Sequence, residues 1–307
     1  MDPLLVITNR DAGTHDEENL EAALSVLRAG ASVEVAATSS PGELDSVLHR
    51  AGSRRIVVAG GDGSMHAVVS ALYRRHELEG RVIGLLPLGT GNDFARGNDI
   101  PLDITEAAQL ILSGEPRPVD ILIDELGEIV VNNVHVGAGA QASRRGHRWK
   151  HRLGSIGYGK VNLGKLGYPI GALLAAFHPP ELRLRVKVDD KIVNDLDTPV
   201  LMVALGNGAQ VGGGTELTPE ADAEDGRIDV MISRSVGPVA KFAFVNRLRR
   251  GDHHERDDVL YLRGTTVTIT GEEFWCSADG EISGPERRRM WRLEPAAYSL
   301  VLPPAGS

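Results

Sequence analysis

Two glycine loops, each set directly behind a short apolar run, constrain this chain more than any other feature. Arg55-Ile56-Val57-Val58-Ala59 breaks into Gly60-Gly61-Asp62-Gly63-Ser64, and the run Val82 to Leu86 breaks into Pro87-Leu88-Gly89-Thr90-Gly91-Asn92-Asp93. A β-branched run that ends in glycines and leads into a helical pattern reads as strand, phosphate-cradling loop and helix. Glycines let backbone N–H groups come close to phosphate oxygens, and a helix N-terminus adds partial positive charge. Two such loops at successive strand ends can enclose one nucleotide, which points to phosphoryl transfer. Asp62 would repel phosphate, so its expected task is to orient a hydroxyl, a water or Mg²⁺. No Gly-Lys-Ser/Thr follows, so this is not a Walker A loop, and the spacing is not GxGxxG. A tight turn would explain one such loop alone; the second repeats its logic.

The residues around the loops alternate strand and helix patterns. Strands are expected at Leu4 to Thr8, Val33 to Ala37, Ile56 to Ala59 and Val82 to Leu86, and helices at Asp16 to Leu27, Pro41 to Ala51, Ser64 to Arg75 and Asp103 to Ser113. This order implies a mostly parallel sheet with helices on both faces, and ligands bind at the carboxyl ends of such strands. Near Val119 the pattern changes. Short strands dominate from Asp120 to Glu294, with turn signals between them, which reads as an antiparallel sandwich. The expected division is 1–125 for an α/β nucleotide-binding domain and 126–295 for a sandwich that holds the acceptor. Segment 296–307 is free to complete the first domain, and the active cleft is expected between the two.

Composition narrows the function classes. A net charge of −9 argues against nucleic-acid binding. The single cysteine, Cys276, excludes an intramolecular disulfide and fits a reducing, cytoplasmic setting; its apolar surroundings suit a packed thiol. No basic-then-apolar leader opens the chain and no apolar run is long enough to span a bilayer. One stretch departs from the acidic background: 141–178 carries Arg144, Arg145, Arg148, Lys150, Arg152, Lys160 and Lys165 among aromatic and aliphatic residues. It suits either a helical pair packed on the sandwich or an element resting on anionic lipid, hence peripheral membrane contact.

Taken in order, the motifs resemble a known family. Gly60 to Ser64, followed by Pro-Leu-Gly-Thr-Gly-Asn-Asp-Phe-Ala at 87–95, is similar to the catalytic domain of diacylglycerol kinases, and more closely to the soluble bacterial lipid kinases of that superfamily. Gly206-Asn207-Gly208, Gly212-Gly213-Gly214, Pro219, Asp225-Gly226-Arg227-Ile228-Asp229-Val230 and Asp279-Gly280-Glu281 continue the pattern almost to the end of the chain. The resemblance implies a three-layer α/β domain of the NAD-kinase and phosphofructokinase type, then an antiparallel β-sandwich. It also implies ATP and Mg²⁺, with a lipid alcohol such as diacylglycerol as acceptor at a membrane surface.

By the same resemblance, Asn9, Thr38, Gly60, Gly61, Asp62, Gly63, Ser64, His66 and Thr90 would contact ATP, with Gly89 and Asn92 in the second loop. Asp279 or Glu281 would be the general base, and Asp62 would help place nucleotide and metal. A structural Mg²⁺ would fall to Asp93, Asp120 and the loop holding Asp225, Arg227 and Asp229. Some relatives pair through a sandwich edge, so a homodimer is a further expectation. The chain departs from the family at Asn9-Arg10, where Pro usually follows Asn, at Ser64 for Thr, and at His66 for Asn. NAD kinases and phosphofructokinases share Gly-Gly-Asp-Gly, but the Asn92-Asp93-Phe94 continuation and the late Asp-Gly-Glu favour the lipid-kinase branch. A non-catalytic nucleotide or lipid sensor on the same scaffold is the remaining alternative, supported by the altered Asn9-Arg10.

Overall fold

The computed structural model describes residues 3–10, 14–137, 140 and 181–304; the basic stretch 141–178 lies outside them. The chain divides into one unit of Met1–Ile121, Ala223–Asp225 and Glu294–Ser307, and a second of Leu122–Asp222 and Gly226–Leu293.

In the first unit, β1 (Leu4–Asn9), β2 (Val33–Thr38), β3 (Arg55–Gly60) and β4 (Val82–Pro87) form a parallel sheet in the order β2-β1-β3-β4. Residues 299 and 300 of the C-terminal strand add a further parallel partner beside β4. The helices are α1 (Thr14–Gly30), α2 (Pro41–His49), α3 (Asp62–Arg74), α4 (Asp93–Gly97) and α5 (Ile104–Ser113). They pack as two pairs, α1 with α5 and α2 with α3. The β1–β2 crossover runs one way along the sheet and the β2–β3 and β3–β4 crossovers run the other, so right-handed connections put α1 on one face and α2 and α3 on the opposite one, with α5 beside α1. Both faces of β3 are therefore covered, which is why Ile56, Val57, Val58 and Ala59 are all buried. Local chemistry sets the helix starts. Ser40 Oγ accepts from Glu43 N (3.3 Å) while Glu43 reaches back to Ser39 N (2.9 Å), a reciprocal cap ahead of Pro41. Asp103 accepts from the backbone N–H groups of Thr105 and Glu106 at the start of α5. Such caps stabilise by about 1 kcal/mol each.

The second unit is an antiparallel sandwich. β5 (Glu115–Asp124) enters it at Leu122, followed by β6 (Ile129–Val130), β7 (Asn133–Gly137), β8 (Leu184–Val188), β9 (Lys191–Asn194) and β10 (Met202–Gly206). After a small ribbon of β11 (Gln210–Val211) and β12 (Thr215–Glu216) come β13 (Ile228–Ser233), α6 (Pro238–Leu248), β14 (Val259–Gly264), β15 (Thr266–Ala278) and β16 (Glu281–Leu302). One row runs β14-β13-β10-β7-β15, and β15 pairs with β8 through its first half and with β7 through its second. The register shifts between Thr270 and Cys276 allow one strand to serve both sheets.

Alternate residues divide β10 and β13 between two cores. Val203, Leu205, Val230 and Ile232 face the sandwich interior with Phe274 and Trp291, whereas Met202, Ala204 and Met231 meet Phe244, Val245 and Leu248 of α6. Each large side chain buried this way contributes about 1.5–3 kcal/mol. Cys276 lies in the interior, where burial pushes its thiol up to about 12. Helix α6 interrupts a stretch whose pattern reads as short strands, and β15 and β16, at 13 and 22 residues, run longer than that pattern implies. No helix of the described residues is long and apolar enough to cross a membrane.

His135, on β7, is 2% exposed and desolvation lowers its ring to about 4, against roughly 6.5 for the unfolded chain. Between those values the unfolded state binds more protons. The stability tied to a neutral ring is therefore complete above about pH 6.5 and is lost as pH falls toward about 4. The loss is on the order of 3 kcal/mol. Burial depresses His253 in the same direction. Urea midpoints measured from pH 7 to pH 4.5 (roughly the window in which the ring titrates) should fall steeply for the wild type and less steeply for His135→Leu.

Candidate active site

The parallel registers end four strands in line. Asn9 is opposite Thr38, Thr8 is opposite Ala59, and Gly60 is opposite Pro87. Asn9, Thr38, Gly60 and Pro87 therefore share the carboxyl edge of one sheet, with the two glycine loops leaving from its middle. Thr38 is held there by its hydroxyl, which donates to Thr8 O (3.4 Å). Arg10, just beyond Asn9, donates its backbone N–H to Thr38 O (3.0 Å) and faces Glu43 at 3.6 Å. An Arg in place of the family's Pro thus stays on this edge, partly neutralised.

The two loops touch backbone to backbone. A Cβ on Gly61 would lie 2.8 Å from Gly89 Cα, and one on Gly89 would lie 2.5 Å from Gly61 Cα. Only glycine at both positions permits that approach. Asn92, in the left-handed region at φ 52°, ties the second loop to itself: its side chain accepts from Gly89 N (3.0 Å) and donates to Gly89 O (2.8 Å). Asp62 then binds loop to loop, one oxygen accepting from Phe94 N (2.8 Å) and the other from Asp93 N (3.2 Å). These are the first two N–H groups of α4, so Asp62 caps a helix 31 residues away. His66 Nε2 lies 3.2 Å from Ser70 Oγ, one turn further along α3. Ser64 packs against Gly60, and Thr90 is exposed at the tip of the second loop.

In the second unit, Asp279 and Glu281 sit on the β15–β16 turn with different surroundings. Asp279 adopts φ 46°. Its carboxylate accepts from the backbone N–H of Val131 (2.7 Å), Asn132 (3.0 Å) and Asn133 (3.1 Å). The same loop is cross-braced by asparagines, because Asn132 and Asn133 both donate to Gln210 O and Asn207 donates to Val131 O. Asn132, Asn133 and Asn207 are buried. Neighbouring asparagines inside an apolar run were the available signal for this polar bracing. Glu281 pairs with Ala278 in the strand ladder, while its side chain is exposed and makes no hydrogen bond or ion pair among the described residues. Of the two carboxylates, Glu281 is the one whose oxygens are open to solvent.

The acidic positions separate on inspection. Asp120 accepts from Ala296 N (2.7 Å), and buried Asp229 pairs with Arg263 at 3.1 Å. Asp225 and Arg227 are exposed. Among the described residues, no three His, Cys, Asp or Glu side chains gather as a dedicated metal cage would require. Asp62 and Asp93 do converge on one glycine. A Cβ on Gly91 would lie 3.2 Å from an Asp62 oxygen and 3.6 Å from an Asp93 oxygen. One or two carboxylates beside substrate phosphates are what Mg²⁺ needs, so this donor pair fits a nucleotide-borne Mg²⁺.

Comparison with known proteins matches residues 3–123 to the diacylglycerol kinase catalytic domain and 132–302 to the YegS C-terminal NAD kinase beta sandwich-like domain. A "probable lipid kinase YegS-like" of Xanthomonas oryzae pv. oryzae (strain MAFF 311018) is 31% identical over 307 residues, covering 94% of this chain and 93% of that protein. The diacylglycerol kinase of Bacillus subtilis (strain 168) is 28% identical over 265 residues, covering 84% and 82%. A crystal structure of a diacylglycerol kinase from Bacillus anthracis str. Sterne shares the fold, with a TM-score of 0.76 at 23% identity, covering 100% of this chain and 99% of that one.

The loop contact makes a direct prediction. Gly89→Ala should destabilise the protein by about 1–3 kcal/mol through forced separation of the backbones and abolish nucleotide binding. Asp62→Asn, which turns an amide N–H toward a backbone N–H, should cost about 1–3 kcal/mol. Urea titration and calorimetric titration with ATP measure both effects.

Proposed function

We propose that this chain, which belongs to the diacylglycerol kinase catalytic-domain family with a YegS-type sandwich, is an ATP- and Mg²⁺-dependent lipid kinase. Its acceptor is the hydroxyl of a lipid alcohol such as diacylglycerol, met at a membrane surface from the cytoplasm. The observation that carries this reading is the backbone contact between the Gly61 and Gly89 loops, at the edge where Asn9 and Thr38 also end.

In this reading the loops' backbone N–H groups and the start of α3 bind the triphosphate, where glycines allow close approach. Asn9 and Thr38 end at the same edge, and with His66 and Thr90 they would contact the nucleotide. Mg²⁺, when bound, neutralises charge on the β- and γ-phosphates, and Asp62 and Asp93 are the residues that would hold it. Glu281 takes the proton of the acceptor hydroxyl as its oxygen bonds to the γ-phosphorus. The bond from that phosphorus to the bridging oxygen breaks, and ADP leaves with the electron pair. Asp279 fixes the turn that presents Glu281. Positioning and charge stabilisation supply most of the catalysis in such transfers.

The test is release of ADP from Mg·ATP by the purified protein, with and without a panel of dispersed lipid alcohols. Release dependent on one lipid class supports the reading and names the acceptor. Phosphorylation of NAD instead, or ATP binding without release under any lipid, defeats it. Glu281→Gln should lower kcat by about 10²-fold or more while ATP affinity and urea midpoint stay at wild-type values. Asp279→Asn should lower activity and stability together.

A further inference from the structure

Helix α6 presents two faces of different chemistry. Phe244, Val245 and Leu248 fasten it to Met202 and Met231 on the outer side of β10 and β13. That attachment turns Val239, Phe242, Asn246 and Arg249 outward along one stripe, at helical spacings of three and four. Val239 is 83% exposed and Phe242 is 74% exposed. Folding left two large apolar side chains in water on a helix that already has a well-packed inner face.

Charge follows the same stripe. From Pro238 to Arg250 the ionisable residues are Lys241, Arg247, Arg249 and Arg250, with no acidic residue, in a chain of net charge −9. Arg247 is engaged by Asp252 (3.4 Å) and Glu255 (3.5 Å). Arg249 and Arg250 are exposed and form no ion pair among the described residues. An apolar tip followed by unpaired guanidinium groups matches a surface whose apolar layer lies just beneath anionic headgroups.

We propose that α6 docks on an anionic lipid bilayer, with Val239 and Phe242 entering the acyl boundary and Arg249 and Arg250 meeting lipid phosphates. The inference deepens the lipid-kinase reading, since it supplies the contact that would bring the enzyme to a bilayer-borne acceptor. The site differs from the basic stretch 141–178 and is built from another part of the chain. Arginine stems can lie along the apolar boundary while their heads stay at the phosphates.

The experiment is co-sedimentation of the full chain with phosphatidylcholine vesicles, with and without phosphatidylglycerol. Arg249→Gln/Arg250→Gln should weaken binding to the anionic vesicles about thirtyfold and leave weak binding to pure phosphatidylcholine unchanged. Val239→Ser/Phe242→Ser should weaken binding to anionic vesicles about tenfold or more. Both variants are on the surface and should keep the wild-type urea midpoint. With a short-chain diacylglycerol dispersed as monomer, both should keep wild-type kcat and KM; with diacylglycerol in anionic vesicles, KM should rise. Equal sedimentation of wild type and variants would overturn the proposal. So would a wild-type dimer that Val239→Ser/Phe242→Ser converts to monomer, because the face would then belong to a second copy. Loss of the kinase reading would appear separately, as no ADP release with monomeric diacylglycerol while vesicle binding persists.

Discussion

Two glycines without side chains hold this active edge together. Gly61 and Gly89 leave neighbouring strands and meet where any Cβ would collide with backbone. Everything else at the edge follows from that contact. Asp62 comes within reach of Asp93 and Phe94, α4 acquires its cap, and the carboxylates of Asp62 and Asp93 converge around Gly91. An acid in a phosphate-binding loop looks repulsive on paper. Here its charge is met by two backbone N–H groups, so it organises the loops.

The sandwich turn applies the same logic with the roles divided. Three N–H groups hold the Asp279 carboxylate, and two residues on, Glu281 is left exposed. One acid sets geometry and the other is left open to solvent. Residues that look equivalent in a short motif are distinguished by what donates to them, a difference of hydrogen bonding that the letters Asp-Gly-Glu do not carry.

The α/β fold class and the sandwich were legible because β-branched runs, glycine breaks and a change in periodicity are local signals. So was the carboxyl edge, since parallel strands of similar length place their loops together. The partners of Asp62 and Asp279 were not legible: they are backbone groups 31 and about 147 residues away, and backbone groups leave no mark in a sequence. Helix α6 was missed for a different reason. Apolar residues occupy both its packed face (Phe244, Val245, Leu248) and its open face (Val239, Phe242), so no single stripe stands out. Gly271, Gly284 and Pro285 made β15 and β16 look broken, whereas pairing to neighbours carries both strands through.

The place of the last strand has a consequence for how the protein comes into being. Ser299 and Leu300 pair with Val82 and Ile83, so β4 gains its outer neighbour from residues more than two hundred positions later. On a ribosome, which releases the chain from its N-terminus, the α/β unit has to wait with β4 unpaired along that edge until the whole sandwich has been made. Nascent chain with an open parallel edge is a substrate for chaperones and a hazard for aggregation, so the order of synthesis makes completion of the α/β unit wait on residues that follow the sandwich.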